Sequence, residues 1–204
     1  MKIKILILWI SLLFISSSSF GSSLSQTEIQ QLLKTKISDI YLLAQLSLLV
    51  NAVRMQNDKN MSLEAIKQLN KEWTSTDELT PFKKSLQEGQ AGKFLKRIIH
   101  RKKEVYNEVF LTDNQGANVL AYPVTSDYWQ GDEAKWKEAF NAGKGKVYVG
   151  PVEFDESTGI NAVQISVPVL DDGKTIGVLV MGLKLSYIES EKIKKSRYSK
   201  KSKQ

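Results

Sequence analysis

The hydrophobic periodicity of this chain changes once, near residue 104, from a helical repeat to strict alternation. That change confines the fold to helices first and strands after. Upstream, Ser25 followed by Glu28 makes a capping box, and Ile29, Leu33, Ile37, Ile40, Ala44 and Leu48 recur at spacings of three and four. The spacing predicts one long amphipathic helix over 26–56. Its middle is apolar enough to suggest a membrane span, but Asp39, Gln45 and Asn51 would each be costly in hydrocarbon, so it reads as a core helix with a broad buried face. A second helix over 61–73 carries Leu63, Ile66, Leu69 and Trp73. A third opens at Thr80-Pro81, with Thr as the cap and Pro at the first helical position, breaks at 89–92 and resumes to 101.

Downstream, alternation predicts strands at 105–112, 117–122, 146–154, 161–170 and 174–185. The turns between them, Asp113-Asn114-Gln115-Gly116, 155–159 and Asp171-Asp172-Gly173, hold the Gly and Asp/Asn that tight hairpins need, so neighbouring strands run antiparallel. Between the second and third strands, Asp132 is placed to cap a short helix over 133–141. The expected layout is α+β: a long N-terminal helix, two shorter helices, and a five-stranded antiparallel sheet with a helical excursion between strands two and three. In the fourth strand Val163, Ile165, Val167 and Val169 point one way and Ala162, Gln164, Ser166 and Pro168 the other. The apolar face suits helices. The mixed face, covered by the excursion, is where a small-molecule pocket would form.

The net charge of +7 suggests nucleic acid until it is located along the chain. Seven basic residues lie in 189–204 against Glu189 and Glu191, and Lys2 and Lys4 supply the rest, leaving 22–188 neutral. A neutral domain argues against a nucleic-acid groove. The basic end reads as a disordered tail, with weak binding to anionic lipid or polysaccharide as the alternative. At the other end, charge at Lys2 and Lys4, an apolar run over 5–15 and small polar residues over 16–23 make a secretory signal peptide, cleaved near Gly21/Ser22. The run falls short of the roughly 20 residues of a bilayer span. No cysteine follows it to accept a lipid. The expected organisation is a leader over 1–21, one domain over 22–188 and a tail, with a periplasmic address.

His100 is the only histidine and sits in a basic run, reading as a solvated helix end. A metal site of several imidazoles or thiolates is excluded, no G-x-S-x-G elbow occurs, and Gly143-Lys144-Gly145-Lys146 lacks the length of a phosphate loop. No cofactor is expected and the chain reads as a non-enzyme; any catalytic reading would rest on Asp127 or Glu133. Calcium at the acidic hairpin tip of Glu153, Asp155 and Glu156 stays open.

The exceptional stretch is 125–136, where Tyr128, Trp129 and Trp136 crowd together with Asp127 and Gln130. Such aromatics either pin the excursion to the sheet or form the walls of a site for a small polar ligand.

The long N-terminal helix, the hairpin VFLTDNQGANVLAY, the loop TSDYWQGDEAKW and the segment GKVYVGPVEFDESTGINAVQISVPVLDDGKTIGVLVMGLKLSYI, in that order, resemble the Cache family of PAS-like extracytoplasmic sensor domains, in a single, free-standing form. The resemblance covers 26–188. It implies a pocket between the sheet and the excursion, walled by Tyr122, Tyr128, Trp129, Trp136, Tyr148 and Ser166, with Asp127 or Gln130 as polar anchors. Gly182 stands near the place where amino-acid-binding members carry an acid, which argues against an amino-acid ligand. The expected function is non-catalytic sensing of a small organic molecule, a short carboxylate being the candidate, reported to a separate membrane receptor or signalling partner. The alternative is a Cache-fold docking module whose pocket is filled by its own aromatics. A homodimer through the long helix also stays open.

Overall fold

The computed structural model describes residues 24–155 and 157–201. The expected leader therefore lies outside the described residues. These residues form seven α-helices and five strands, in the order α1 (Gln26–Ala44), α2 (Ser47–Asn57), α3 (Leu63–Thr74), α4 (Pro81–Glu88), α5 (Gln90–Arg101), β1 (Tyr106–Thr112), β2 (Asn118–Tyr122), α6 (Ala134–Phe140), β3 (Tyr148–Asp155), β4 (Ile160–Asp171), β5 (Lys174–Lys184) and α7 (Leu185–Lys201), with a 3-10 turn over Asn141–Gly143 after α6. The strands form one antiparallel sheet in the order β2-β1-β5-β4-β3, a PAS-like α+β fold as expected. The Ser25/Glu28 capping box closes the start of α1, and Thr80 accepts from the Lys83 N–H at the start of α4.

Where one long helix was expected, the chain breaks between Ala44 and Ser47, and α1 and α2 meet at 59°. The cause is tertiary. β3 pairs with β4 only as far as Ser166, so the outer edge of β4 beyond it lacks a neighbour. The Gln45 amide fills that place: Nε2 donates to Pro168 O at 2.9 Å and Oε1 accepts from Leu170 N at 3.1 Å, as a strand residue would. Among the described residues no single helix is long and apolar enough to cross a membrane.

One sheet face packs on α1, α2, α5 and α7. Ile29, Leu33, Leu49, Val53 and Leu95 meet Val163, Ile165, Val167 and Val169 there, all completely shielded from water. The other face carries α6 over Phe110, Val178 and Val180. A third cluster, Ile66, Trp73, Leu86 and Tyr128, joins α3 and α4 to the loop before α6. Asp132 does not cap α6: Glu133 holds that position and no side chain makes the capping bond.

The stretch expected to be a disordered tail is helical to Lys201. β5 runs straight into α7, and fully buried Ile188 anchors its first turns against the core. Further along, Lys192 pairs with Glu28 at 3.4 Å and Lys195 Nζ donates to Gln31 O, both on α1. The expected domain end at 188 thus falls inside a helix.

Candidate functional site

A cavity of about 430 Å³ opens between the mixed sheet face and the 123–135 segment. β1 contributes Glu108 and Phe110, the loop Thr125, Asp127 and Gln130, the start of α6 Glu133 and Lys135, β3 Tyr148, Glu153 and Asp155, and β4 Ala162 and Gln164. Two irregularities shape it. β3 bulges between Val149 and Val152, placing Gly150 and Pro151 at the rim, and Gln26 Nε2 on α1 ties the bulge down at Val149 O and Gly150 O. β1 shifts register between Tyr106 and Glu108, bringing Asn107 and Glu108 together against Gly182 of β5.

Glu108 is the buried acid of the site, 3 % exposed, and its Oε1 accepts from Gln164 Nε2 at 2.7 Å. Burial, reinforced by the nearby Asp155 carboxylate, pushes it up from the usual carboxylate range to about 7. A Cβ at position 182 would lie 2.6 Å from Asn107 Oδ1 and 2.7 Å from Glu108 Cγ, so glycine there is what lets Glu108 lie across β5. The absence of an acid at 182 noted in the sequence is accompanied by an acid on the adjoining strand. Asn107 Nδ2 donates to Asp155 and Thr158, fixing the β3–β4 hairpin tip over the cavity.

Of the eight residues expected at the site, Asp127, Gln130 and Tyr148 line the cavity. The others lie elsewhere, for identifiable reasons. Tyr128 is buried against Trp73 and Phe82, and its hydroxyl accepts from Gln56 Nε2. Trp129 donates through Nε1 to Gln115 O and lies under the Lys67 ammonium. Trp136 stacks on Phe140 at 4.7 Å. Tyr122 bonds His100 Nε2 through its hydroxyl at 2.7 Å on the exposed end of α5, which is the helix-end position expected for His100. Ser166 is fully buried in the ladder between Tyr148 and Val180.

The aromatics are the loop's fasteners. Asn70 Oδ1 accepts from the backbone N–H groups of both Tyr128 and Trp129, and Trp73 Nε1 donates to Thr125 O. These anchors hold Asp127 and Gln130 at the cavity. Gln130 is 1 % exposed; its Nε2 donates to Asp127 O, while its Oε1 accepts no hydrogen bond among the described residues.

Five carboxylates, Glu108, Asp127, Glu133, Glu153 and Asp155, face this space, and Lys135 is the one basic residue among its lining. Lys135 Nζ lies 2.8 Å from Glu133 Oε2 and 5.6 Å from the Phe110 ring centroid. Among the described residues no group of three or more His, Cys, Asp or Glu is arranged to hold a metal ion.

Residues 64–190 match the family described as methyl-accepting chemotaxis protein-like, first PDC sensor domain. The chain belongs to that family. The PDC assignment bears out the Cache resemblance and makes this a sensor domain. Similar solved structures include the sensor domain of the V. cholerae histidine kinase DctB, at 13 % identity and TM-score 0.42, covering 81 % of this chain and 57 % of that one. The sensory domain of the Campylobacter jejuni chemoreceptor Tlp3 (CcmL) with isoleucine bound gives 16 % and 0.39, covering 83 % and 67 %. The ligand-binding domain of the Pseudomonas aeruginosa PAO1 amino acid chemoreceptor PctC in complex with GABA gives 18 % and 0.37, covering 76 % and 68 %. The PDC chain thus spans little more than half of the DctB sensor domain and about two thirds of the two chemoreceptor domains. No curated protein matches it.

Proposed function

We propose that this PDC domain is an exported, non-catalytic sensor whose cavity takes a small organic cation, an alkylamine being the simplest. The observation that carries the reading is the cavity's chemistry: five acidic residues against one lysine. An ammonium group answers that imbalance, since it is a cation that donates to carboxylates and has no acceptor capacity. The same charge balance opposes the short carboxylate expected from the sequence. Because Tyr128, Trp129 and Trp136 pack away from the cavity rather than into it, the geometry favours ligand binding over a self-filled docking module. The occupied protein would report to a separate membrane receptor or signalling protein.

The test is a thermal-shift panel on exported protein, whose N-terminus is expected at Ser22. An amine at about 100 times its Kd should stabilise by about 2.7 kcal/mol, which raises Tm by roughly 5 to 10 °C for a chain of this size. Carboxylates should give no shift. A shift with carboxylates and none with amines overturns the cation reading.

A further inference from the structure

The side chain of Lys135 has an environment that its neighbours on α6 do not share. It lies in the first turn of α6, and its ammonium is placed beside the two kinds of group that recognise alkylammonium ions: a carboxylate, Glu133 at 2.8 Å, and an aromatic ring, Phe110 with its centroid at 5.6 Å. Both partners line the cavity, as Lys135 does. The chain therefore displays, with its own butylammonium side chain, what this part of the cavity binds.

We infer that Lys135 is a tethered competitor: its ammonium lies in the subsite that a ligand's ammonium group takes, and the ligand binds by displacing it. This rests on the reading of the cavity as an organic-cation site. The displacement is physically easy. The Glu133–Lys135 pair is only partly shielded from solvent, with the two side chains 37 % and 18 % exposed, so water still competes for both charges. The lysine stem has four rotatable carbons and swings to water without moving the backbone. An opposite role, holding a ligand's anionic end, suits the surroundings less well. Glu133 already neutralises Lys135, and Asp127, Glu153 and Asp155 would repel an incoming anion. The arrangement sets a threshold: a ligand must bind the subsite better than a side chain that is always present.

The probe is n-butylammonium, the free counterpart of the lysine side chain, measured by calorimetry on the full chain and on K135M, which keeps the stem and removes the charge. If Lys135 holds the subsite for about nine-tenths of the time, its removal tightens binding about tenfold. The gain should persist at 0.5 M salt, because displacement does not depend on long-range repulsion, which is screened there. K135Q should behave as K135M does. Equal or weaker binding by both variants overturns the inference and makes Lys135 a ligand anchor or a bystander; a gain that vanishes at high salt overturns it too. If neither the wild type nor a variant binds butylammonium, the cation reading itself fails, and the inference with it.

Discussion

Glu108 occupies a strand in which every residue is buried, and among the described residues only the Gln164 amide donates to it. A carboxylate with a folded pKa of about 7, against an ordinary value of 4.5, holds its proton more tightly in the folded state than in the unfolded chain. The sign follows directly: between those two values the folded state binds more protons, so stability is greatest below about pH 4.5 and is lost as pH rises through 7. The shift corresponds to about 3 kcal/mol at most. Asp113, also raised by burial, adds in the same direction. E108Q keeps an acceptor for Gln164 and removes the charge. Urea titrations at pH 5 and pH 8 should show it close to wild type at the lower pH and more stable by up to about 3 kcal/mol at the higher. Parallel pH profiles for the two proteins would refute the assignment. This residue is also where sequence reasoning falls short. A glutamate amid the apolar residues of YNEVFLT is visible in the sequence, but its direction depends on a register shift at Asn107 that alternation does not reveal. Aromatic density correctly marks the loop as special. What it does not reveal is that Tyr128 and Trp129 face the helices behind the loop, because those contacts come from Asn70, Trp73 and Phe82, more than forty residues away.

Local signals carry the elements well where they are local. The capping box at Ser25, the Thr80-Pro81 start, the hairpin turns and all five strands are set by residues within a few positions of each other, and they stand within two residues of where periodicity puts them. The α1–α2 break is different in kind. The sequence YLLAQLSLLV contains neither Pro nor Gly, and nothing in it opposes a continuous helix. The break exists because the edge of β4 beyond Ser166 needs hydrogen-bond partners and Gln45 supplies both a donor and an acceptor. Q45A should leave the Leu170 N–H and the Pro168 carbonyl without those partners and cost about 1 to 3 kcal/mol. Q45E, which accepts but cannot donate, should lose part of the same stability. If Q45A unfolds at the wild-type urea concentration, the break is set by packing and the amide is incidental.

The layers of the fold meet at their two ends. β5 lies at the centre of the sheet between β1 and β4, its Gly182 makes room for the cavity's buried acid, and it continues without a turn into α7. α7 in turn lies along α1, so the core helix before the sheet and the helix after it are joined through Ile188 and through the Glu28–Lys192 and Gln31–Lys195 contacts. These links differ greatly in strength. Ile188 is completely buried, whereas Lys192 and Glu28 are each about half exposed, and Ile193 is 53 % exposed. Truncation to alanine at Ile188 should therefore cost about 2 to 4 kcal/mol, as a cavity in a packed core does. Removing everything after Glu189 deletes the exposed ion pair and most of a solvated helix, and should cost less than about 1 kcal/mol. Both are measured by urea denaturation of the purified chain. If the deletion costs as much as the alanine substitution, the outer turns of α7 are part of the core assembly, and the helix pair is one cooperative unit along its whole length. If it costs little, the first turns alone couple α7 to the sheet, and the basic remainder is free to engage another surface without disturbing the cavity.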